Sequence, residues 1–204
     1  MTLSSALCAA ANALDTNVDE LQRLDAIAGD GDLGITAGKI AKAIRDAAAV
    51  DGQDAATLLA TCGKNIALTA ASSCGTLVAS AFLSASKAVG IGDSREQIAA
   101  GLNGALEGIL KRGKANRGDR TMIDSLAPAA DAAQFMADAY TWEQYLGNIS
   151  KATEDGMEAT KSMVPKIGRA RTQPERAKGN ADPGAMLVYV ALTAACDAAK
   201  GMKA

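Results

Sequence analysis

Three aspartates crowd a short glycine-rich stretch near the start of the chain, in the run LDAIAGDGDLGIT (24–36). Asp25 precedes Asp30 by five residues, and Asp32 follows directly after Gly31. Hard divalent cations such as Mg²⁺ bind carboxylate oxygens, and a bent loop can bring several carboxylates to one or two ions. Gly31 can adopt the positive φ that turns both flanking side chains inward. The spacing predicts a metal site, with an ordinary acidic turn as the competing interpretation because Gly and Asp are common turn residues.

Two well-known ligand-binding loops are excluded at this position. An EF-hand fails because its twelfth position would be Ala41 instead of glutamate. A Walker A loop fails because Gly34 and Gly38 are one residue too close together and neither Ser nor Thr follows Lys39. Phosphate would therefore bind here through a metal and through the unpaired amides of a helix N-terminus near Gly34–Thr36.

Three further loops carry polar or small residues that could reach a ligand. Small residues at 72–76 would let a ligand approach backbone amides, although close helix packing produces the same pattern. The pair Gly113–Lys114 and the run 119–122 are unusually polar for a link between helices, with a solvated loop as the alternative. Arg169 and the run 182–184 lie in the last long loop, where a capped helix start would give the same sequence.

The 204-residue chain contains no histidine. This absence excludes Ser-His-Asp and Cys-His catalysis, histidine-ligated zinc and a phosphohistidine relay within the chain. Chemistry must then rest on carboxylates, Lys and Arg, hydroxyls, backbone amides and a bound metal. The four cysteines form no C-x-x-C pair, which favours a reducing compartment: Cys8, Cys62, Cys74 and Cys196.

The charge balance and the hydropathy pattern narrow the possible partners. A net charge of −2 leaves no basic excess to neutralise nucleic-acid phosphates. No apolar run approaches the ~18 residues that a membrane span needs, and the first residues lack the basic segment of a signal peptide. We therefore expect a cytoplasmic protein that binds neither nucleic acid nor a membrane.

Composition and periodicity predict an all-α fold. The chain is 49% hydrophobic but only 3% aromatic, and its many alanines favour helices over strands. Capping boxes are predicted at Ser94 and Thr141, and Asn17 is a candidate N-cap. The pattern favours a single domain, 1–204, folded as an antiparallel bundle of eight or nine helices. Helices are expected at about 3–14, 17–26, 37–50, 54–70, 77–89, 94–112, 121–139, 142–165 and 185–200.

Three segments taken in order resemble the dihydroxyacetone kinase family. They are LDAIAGDGDLGIT (24–36), GKANRGDRTMIDSLAPA (113–129) and GRARTQPERAKGNADPGA (168–185). The similarity covers nearly the whole chain and points to the nucleotide-binding L subunit, or the equivalent C-terminal domain (DhaL-like, Dak2). This resemblance implies a barrel-like bundle of about eight antiparallel helices with the nucleotide at one end.

The resemblance also implies a set of site residues. In the family, aspartates that match Asp25, Asp30 and Asp32 hold two Mg²⁺ ions that bridge the phosphates of ATP or ADP. Arg169 is expected to stabilise the transferred phosphoryl group through a bidentate guanidinium contact. The residues expected to contact phosphate, ribose or adenine are Leu33, Gly34, Ile35, Thr36, Ser73, Cys74, Gly113, Met122, Arg169, Asp182, Pro183 and Gly184.

The implied activity is phosphoryl transfer to a short-chain ketose such as dihydroxyacetone or erythrulose. The ketose would bind a histidine on a separate, K-type subunit, which agrees with the absence of histidine here. A phosphocarrier subunit that recharges tightly bound ADP, and a homodimer, are further partners found in the family. Leu33 stands where members driven by the phosphotransferase system usually have histidine, and this difference favours direct use of Mg-ATP.

Two alternatives remain open at this stage. The chain could be a nucleotide-sensing module that docks on a transcription regulator and makes no product. A fatty-acid kinase domain is less favoured, because that group is closer to P-D-G-D-T-G-T-N than to AGDGDLGIT. The run Ser72-Ser73-Cys74 replaces a glycine-rich turn of the family, so its side chains narrow the space near the phosphates.

Overall fold

The computed structural model describes residues 2–90, 92, 94–135 and 140–201, and these residues form helices without any strand. Two short 3-10 helices, Thr160–Ser162 and Arg169–Thr172, lie in the last long connection. The α-helices of these residues are α1 (Leu3–Thr16), α2 (Val18–Ala28), α3 (Leu33–Ala48), α4 (Ala55–Thr69), α5 (Ser73–Ala88), α6 (Ser94–Gly113), α7 (Ile123–Gln134), α8 (Trp142–Ala159), α9 (Pro174–Ala177) and α10 (Pro183–Lys200).

Eight of the described helices form a closed ring. Helix α1 packs on α3, each helix from α3 to α8 packs on the next, α8 packs on α10, and α10 returns to α1. Short connections make neighbours antiparallel, as the hydrogen bond from Ser4 at the start of α1 to the carbonyl of Ala48 at the end of α3 illustrates. The predicted all-α, barrel-like antiparallel bundle of about eight helices is therefore confirmed.

The alternating directions divide the connections between the two ends of the barrel. One end carries the first residues of α3, α5, α7 and α10, together with the last residues of α1, α4, α6 and α8. Helix α2 packs on α3 and α10 at this end. We name it the aspartate end, and it comprises residues 25–36, 69–75, 113–123 and 160–184.

Small side chains let the helices approach closely. Ala11, Ala37, Ala41 and Ala127 are fully buried in the main core, where each alanine removes apolar area without losing rotamer freedom. A second cluster surrounds the stacked rings of Trp142 and Tyr145.

All eight helices of the ring line an interior apolar cavity of about 420 Å³. None of the helices among the described residues is both long and apolar enough to span a membrane.

Side-chain caps define several helix starts. Thr141 forms the predicted capping box with Gln144 at the start of α8. Ser94 was predicted to be the N-cap of α6, but in the structure it is already the first residue of that helix. Asn17 precedes α2 but makes no side-chain cap there, because its amide donates to the carbonyl of Ala13 in α1.

Helices α3 and α5 begin about four residues earlier than the sequence predicted. Helix α3 starts at Leu33 because a carboxylate from α2 accepts its first amides. Helix α5 starts at Ser73 because the hydroxyl of Ser72 caps it. At the other end of the chain, the helix expected over 142–165 ends at Ala159 and continues as a 3-10 turn. The helix expected over 121–139 begins at Ile123 and ends at Gln134, and residues 136–139 lie outside the described residues.

Candidate functional site

The three aspartates of the glycine-rich stretch converge at the aspartate end. Asp25 lies in the last turn of α2, while Asp30 and Asp32 lie in the turn before α3. One carboxylate oxygen from each residue lies within 4.8 Å of the others, with Asp25 half-buried and the other two exposed. Gly31 adopts the expected positive φ of 72° between Asp30 and Asp32. The donor set is three hard oxygen ligands, which suits Mg²⁺.

Asp25 is also the cap of the following helix. Its Oδ2 atom accepts hydrogen bonds from the backbone amides of Asp32 at 3.0 Å and Leu33 at 3.3 Å. A Cβ atom at Gly29 would collide with the Asp25 carboxylate, so only glycine leaves the carboxylate in this place. The position of Asp25 is thereby fixed before any ligand arrives.

Arg169 reaches the same cluster from the distant last loop. Its guanidinium forms an ion pair with the carboxylate of Asp30. Arg169 opens a 3-10 helix directly after Gly168, whose φ is +71°. The fold thus brings the predicted phosphate-binding arginine to the predicted metal ligands, with both side chains open to solvent.

The first turn of α3 places its predicted contact residues on different sides. Leu33, Gly34 and Thr36 are buried, whereas Ile35 faces solvent with 59% of its surface exposed. A Cβ atom at Gly34 would lie 2.6 Å from the carbonyl oxygen of Val18, so the residue fills a close contact between α2 and α3. This turn offers a ligand the backbone amides of Gly34 and Ile35 and the Ile35 side chain, because the first amides of a helix have no partner within it. The Leu33 amide is already bound by Asp25, and the Thr36 amide by the carbonyl of Asp32.

The starts of α3 and α5 are joined by a hydroxyl pair. Thr36 Oγ1 donates to Ser72 Oγ at 3.1 Å, and Ser72 Oγ accepts from the amide of Gly75. A Cβ atom at Gly75 would collide with the carbonyl oxygen of Ala70, so this turn is tightly wound. Ser72 therefore aligns two helix N-termini, a role that sequence reasoning missed.

Ser73 and Cys74 occupy the first turn of α5. Ser73 is exposed and Cys74 is half-buried. Burial, and to a smaller extent the nearby carboxylates of Asp182, Asp25 and Asp32, raise the pKa of the Cys74 thiol to about 12. The thiol is therefore protonated at neutral pH and is not a nucleophile. The charges of Asp25 and Asp32 act on the thiol because the first turn of α5 lies close to the aspartate cluster.

Asp182, Pro183 and Gly184 form the start of α10. The buried carboxylate of Asp182 accepts the amide of Ala185 at 2.9 Å, while the Asp182 amide donates to the hydroxyl of Thr160. Burial raises the pKa of Asp182 to about 6, although the Ala185 amide and the charge of Arg120 lower it. Pro183 and Gly184 are half-buried.

The other two predicted contact residues flank the connection between α6 and α7. Gly113 is the last residue of α6, and Met122 directly precedes α7. A Cβ atom at Gly184 would lie 3.4 Å from Met122, which packs the starts of α7 and α10 together. The Met122 side chain is buried and lines the interior cavity, so its backbone is the part that faces this end. Gly113 ends α6 beside Leu77 of α5, and Lys114 follows with a φ of +54°.

Two buried charged residues, Arg120 of the 113–123 connection and Asp124 in the first turn of α7, were given no individual role from the sequence. Asp124 accepts hydrogen bonds from the amides of Gly118 and Thr121 and so shapes the loop. Arg120 is buried and contacts the last long loop. The polarity of this segment was visible in the sequence, but the partners of Arg120 are backbone carbonyls far along the chain, which no local pattern reveals.

The aspartate end as a whole is arranged for an anion bridged by a metal. Four helix N-termini, those of α3, α5, α7 and α10, lie at this end of the barrel, and each carries a partial positive charge. The three carboxylates and Arg169 lie at the same end. Such an arrangement can bind a polyphosphate through a metal, through helix amides and through a guanidinium.

Sequence comparisons agree with this geometry. The DAK2 domain family matches residues 27–197 of the chain. The D-erythrulose kinase of Mycolicibacterium smegmatis is 35% identical over 90% of this chain, but the chain spans only 33% of that enzyme. The ADP-binding subunit DhaL of a PEP-dependent dihydroxyacetone kinase from Listeria innocua is 33% identical, with 83% of this chain and 81% of that subunit covered.

A solved structure has the same fold as this chain. The dihydroxyacetone kinase of C. freundii in complex with AMP-PNP and Mg²⁺ superimposes with a TM-score of 0.75 and 26% identity. The match covers 96% of this chain and 33% of that one. From the profile match, the DhaL relative and the closed helical ring together, we conclude that the chain belongs to the DAK2 domain family of dihydroxyacetone kinases.

Proposed function

We propose that the chain is the nucleotide-binding part of a ketose kinase. It binds Mg-ATP, or tightly held ADP that is recharged in place, and supplies the phosphoryl group to dihydroxyacetone or erythrulose. The observation that carries this proposal is the convergence of three aspartates and Arg169 at the end of the barrel where four helices begin. The names of the relatives, an erythrulose kinase and an ADP-binding DhaL subunit, support the substrate class and the cofactor.

Asp25, Asp30 and Asp32 are the proposed ligands of two Mg²⁺ ions. When bound, the ions offset the negative charge that spreads over the phosphate oxygens during transfer. Asp25 adds rigidity, because its hydrogen bonds to the start of α3 fix one carboxylate oxygen. A preformed ligand of this kind lowers the entropy lost on binding.

The remaining residues bind and orient the nucleotide. Residues Leu33–Thr36 form the proposed phosphate-binding turn, in which the amides of Gly34 and Ile35 donate to phosphate oxygens, since those of Leu33 and Thr36 already donate to Asp25 and Asp32. The amides of Ser73 and Cys74 are further proposed donors, and Arg169 contributes a guanidinium fork as the proposed catalytic group. A contact surface for ribose and base is proposed around the last residue of α6 and the starts of α7 and α10. Its members are Gly113, Met122, Asp182, Pro183 and Gly184, with Ile35 at the exposed rim.

The ketose and the general base are assigned to a K-type partner subunit or domain. In the proposed step, a ketose hydroxyl oxygen forms a bond to the terminal phosphorus while the bond from that phosphorus to the ADP oxygen breaks. The hydroxyl proton passes to the base on the partner. We assign residues 1–204 to one nucleotide-binding domain in the cytoplasm. A homodimer and a phosphocarrier partner are further parts of the proposal.

Calorimetric titration with ADP and ATP, with and without Mg²⁺, tests the proposal. We expect binding that requires Mg²⁺ and is lost in Asp30→Asn and in Asp32→Asn, while circular dichroism shows an unchanged helical fold. Asp19→Asn is the matched control, because Asp19 is an exposed aspartate of α2 outside the cluster. Unchanged binding in both cluster variants would contradict the metal assignment. Absence of Mg-nucleotide binding in the wild-type chain, after removal of co-purified nucleotide, would contradict the function.

A further inference from the structure

Arg120 is a buried cation in an unusual backbone conformation. Only 3% of its surface is exposed, and its φ is +62°. The left-handed region is sterically unfavourable for a residue that carries a Cβ atom. Such a conformation persists where the surroundings hold the residue in place, and here the guanidinium makes those contacts.

The guanidinium binds both ends of one loop. Its Nε donates to the carbonyl of Thr160 at 3.2 Å, before the loop, and its Nη2 donates to the carbonyls of Ala177 at 3.0 Å and Asn180 at 2.8 Å, at the other end. A backbone hydrogen bond of 3.0 Å from the Gly179 amide to the Lys161 carbonyl closes the same loop at its base. Arg120 therefore fastens the base of the segment 161–179.

The same arginine faces the cap of α10. Its Nη1 lies 3.8 Å from Oδ1 of Asp182, and both side chains are buried. The loop it fastens carries Arg169, which reaches Asp30. One buried side chain thus connects the α6–α7 connection to two parts of the candidate site, Arg169 and the start of α10.

We propose that Arg120 is a positioning residue for the nucleotide site. By fastening the base of segment 161–179, it holds Arg169 over the aspartate cluster, and this is the route by which it acts on the nucleotide. This inference rests on the proposed function for its effect on nucleotide binding, but the fastening itself is a property of the ligand-free chain. Lysine cannot replace it, because a single ammonium lacks the planar fork that serves three carbonyls in different directions.

Hydrogen exchange of the ligand-free chain tests the fastening. In Arg120→Lys we expect amides in 161–182 to exchange about tenfold faster or more, while amides in the middle of α3 to α5 keep their rates. Arg117→Lys is the matched control, since Arg117 belongs to the same connection but is exposed and paired with Asp131. Equal exchange in Arg120→Lys and wild type would overturn the inference.

A double-mutant cycle on Mg-ADP affinity tests the positioning. Arg120→Lys is expected to weaken binding about tenfold in the wild-type background, but less than about twofold when Arg169 is already changed to Gln. A side chain that only stabilises the fold would give the same loss in both backgrounds, and that additive result would overturn the positioning role. A wild-type chain that binds no Mg-ADP would contradict the proposed function, and the exchange experiment would still decide whether Arg120 fastens the loop.

A second variant covers the case in which Arg120→Lys does not fold. Gly179 has a φ of +80° and open space around it, so Gly179→Ala strains the base of the loop without a steric clash. It is expected to give the same faster exchange in 161–182 and the same dependence on Arg169. Independent, additive effects of Gly179→Ala and Arg169→Gln would also contradict the inference.

Discussion

Arg169 forms an ion pair with Asp30, so a cation from the last long loop rests on the acidic cluster of the α2–α3 turn. In the ligand-free chain the guanidinium compensates part of the charge that Mg²⁺ would compensate. Under the proposed function, the arginine therefore has two opposed effects on the site, because it competes with a bare metal ion and assists a bound phosphate.

Arg169→Gln is expected to separate these two effects. The affinity for Mg²⁺ alone should rise about twofold to threefold, because a competing exposed cation is removed. The affinity for Mg-ADP should fall about tenfold, because a charge-assisted contact to phosphate is lost. Titration calorimetry with MgCl₂ and with Mg-ADP measures both. Arg171→Gln, an exposed arginine two residues away, should leave both affinities unchanged, and a parallel fall of both in Arg169→Gln would contradict the expectation.

Two glycine-to-alanine variants should change stability in opposite directions. Gly75→Ala places a Cβ atom against the carbonyl and 2.8 Å from the Cβ of Ala70, so we expect a loss of about 1–3 kcal/mol. Gly147→Ala lies inside α8 with open space around it, so we expect a gain of about 0.5–1 kcal/mol from helix propensity. Urea unfolding of both variants measures the free energies. A stable Gly75→Ala would show that the α4–α5 turn is looser than the structure has it.

The pKa of Asp182 predicts a pH-dependent stability difference. Its value of about 6 lies above the ordinary 3.8, so the folded chain binds more protons than the unfolded chain between these values. The free energy of unfolding of wild type, relative to Asp182→Asn, should therefore fall as pH rises from about 4 to about 6, by an amount on the order of 3 kcal/mol, and then stay constant. Urea unfolding of both proteins at several pH values gives the difference, in which other carboxyl groups cancel. A difference that rises with pH would contradict the assignment.

The raised pKa of Cys74 predicts slow alkylation. With a pKa of about 12, only about one thiol in ten thousand is ionised at pH 8. Iodoacetamide should therefore leave Cys74 unmodified in the folded chain although the residue is half-exposed, and should modify all four cysteines in urea. Mass spectrometry of peptides after timed quenching distinguishes the sites. Rapid modification of Cys74 in the folded chain would mean that its thiol is more solvated than its surroundings indicate.

The parts of the fold set by local interactions could be predicted from the sequence. The Thr141 capping box, the turn at Gly31 and the convergence of Asp25, Asp30 and Asp32 depend on residues close together in the chain. Helix starts set by another element could not. Leu33 begins α3 because a carboxylate of α2 accepts its amide, and periodicity within α3 contains no trace of that partner.

The long-range contacts of the candidate site were either predicted through the family resemblance alone or missed. Arg169 was associated with the cluster only through the resemblance, since nothing in its spacing from Asp30 predicts an ion pair. Arg120 was noted only as part of the polar run 119–122 and was assigned no role, because it binds backbone carbonyls and no residue type marks them in the sequence. Its positive φ is likewise a property of the assembled loop, in a residue type that rarely adopts it.

Because neighbouring helices of the ring run in opposite directions, half of the connections lie at the barrel end opposite the aspartate cluster. The α3–α4 connection, residues 49–54, lies at the barrel end opposite the aspartates, and its Gly52 has a φ of +75° with open space around it. Residues inserted there lengthen a surface turn without moving any helix start that surrounds the aspartates. The two ends of the barrel can therefore diverge independently in evolution, and a fluorescent reporter or an affinity tag placed after Asp51 would leave the proposed chemistry intact.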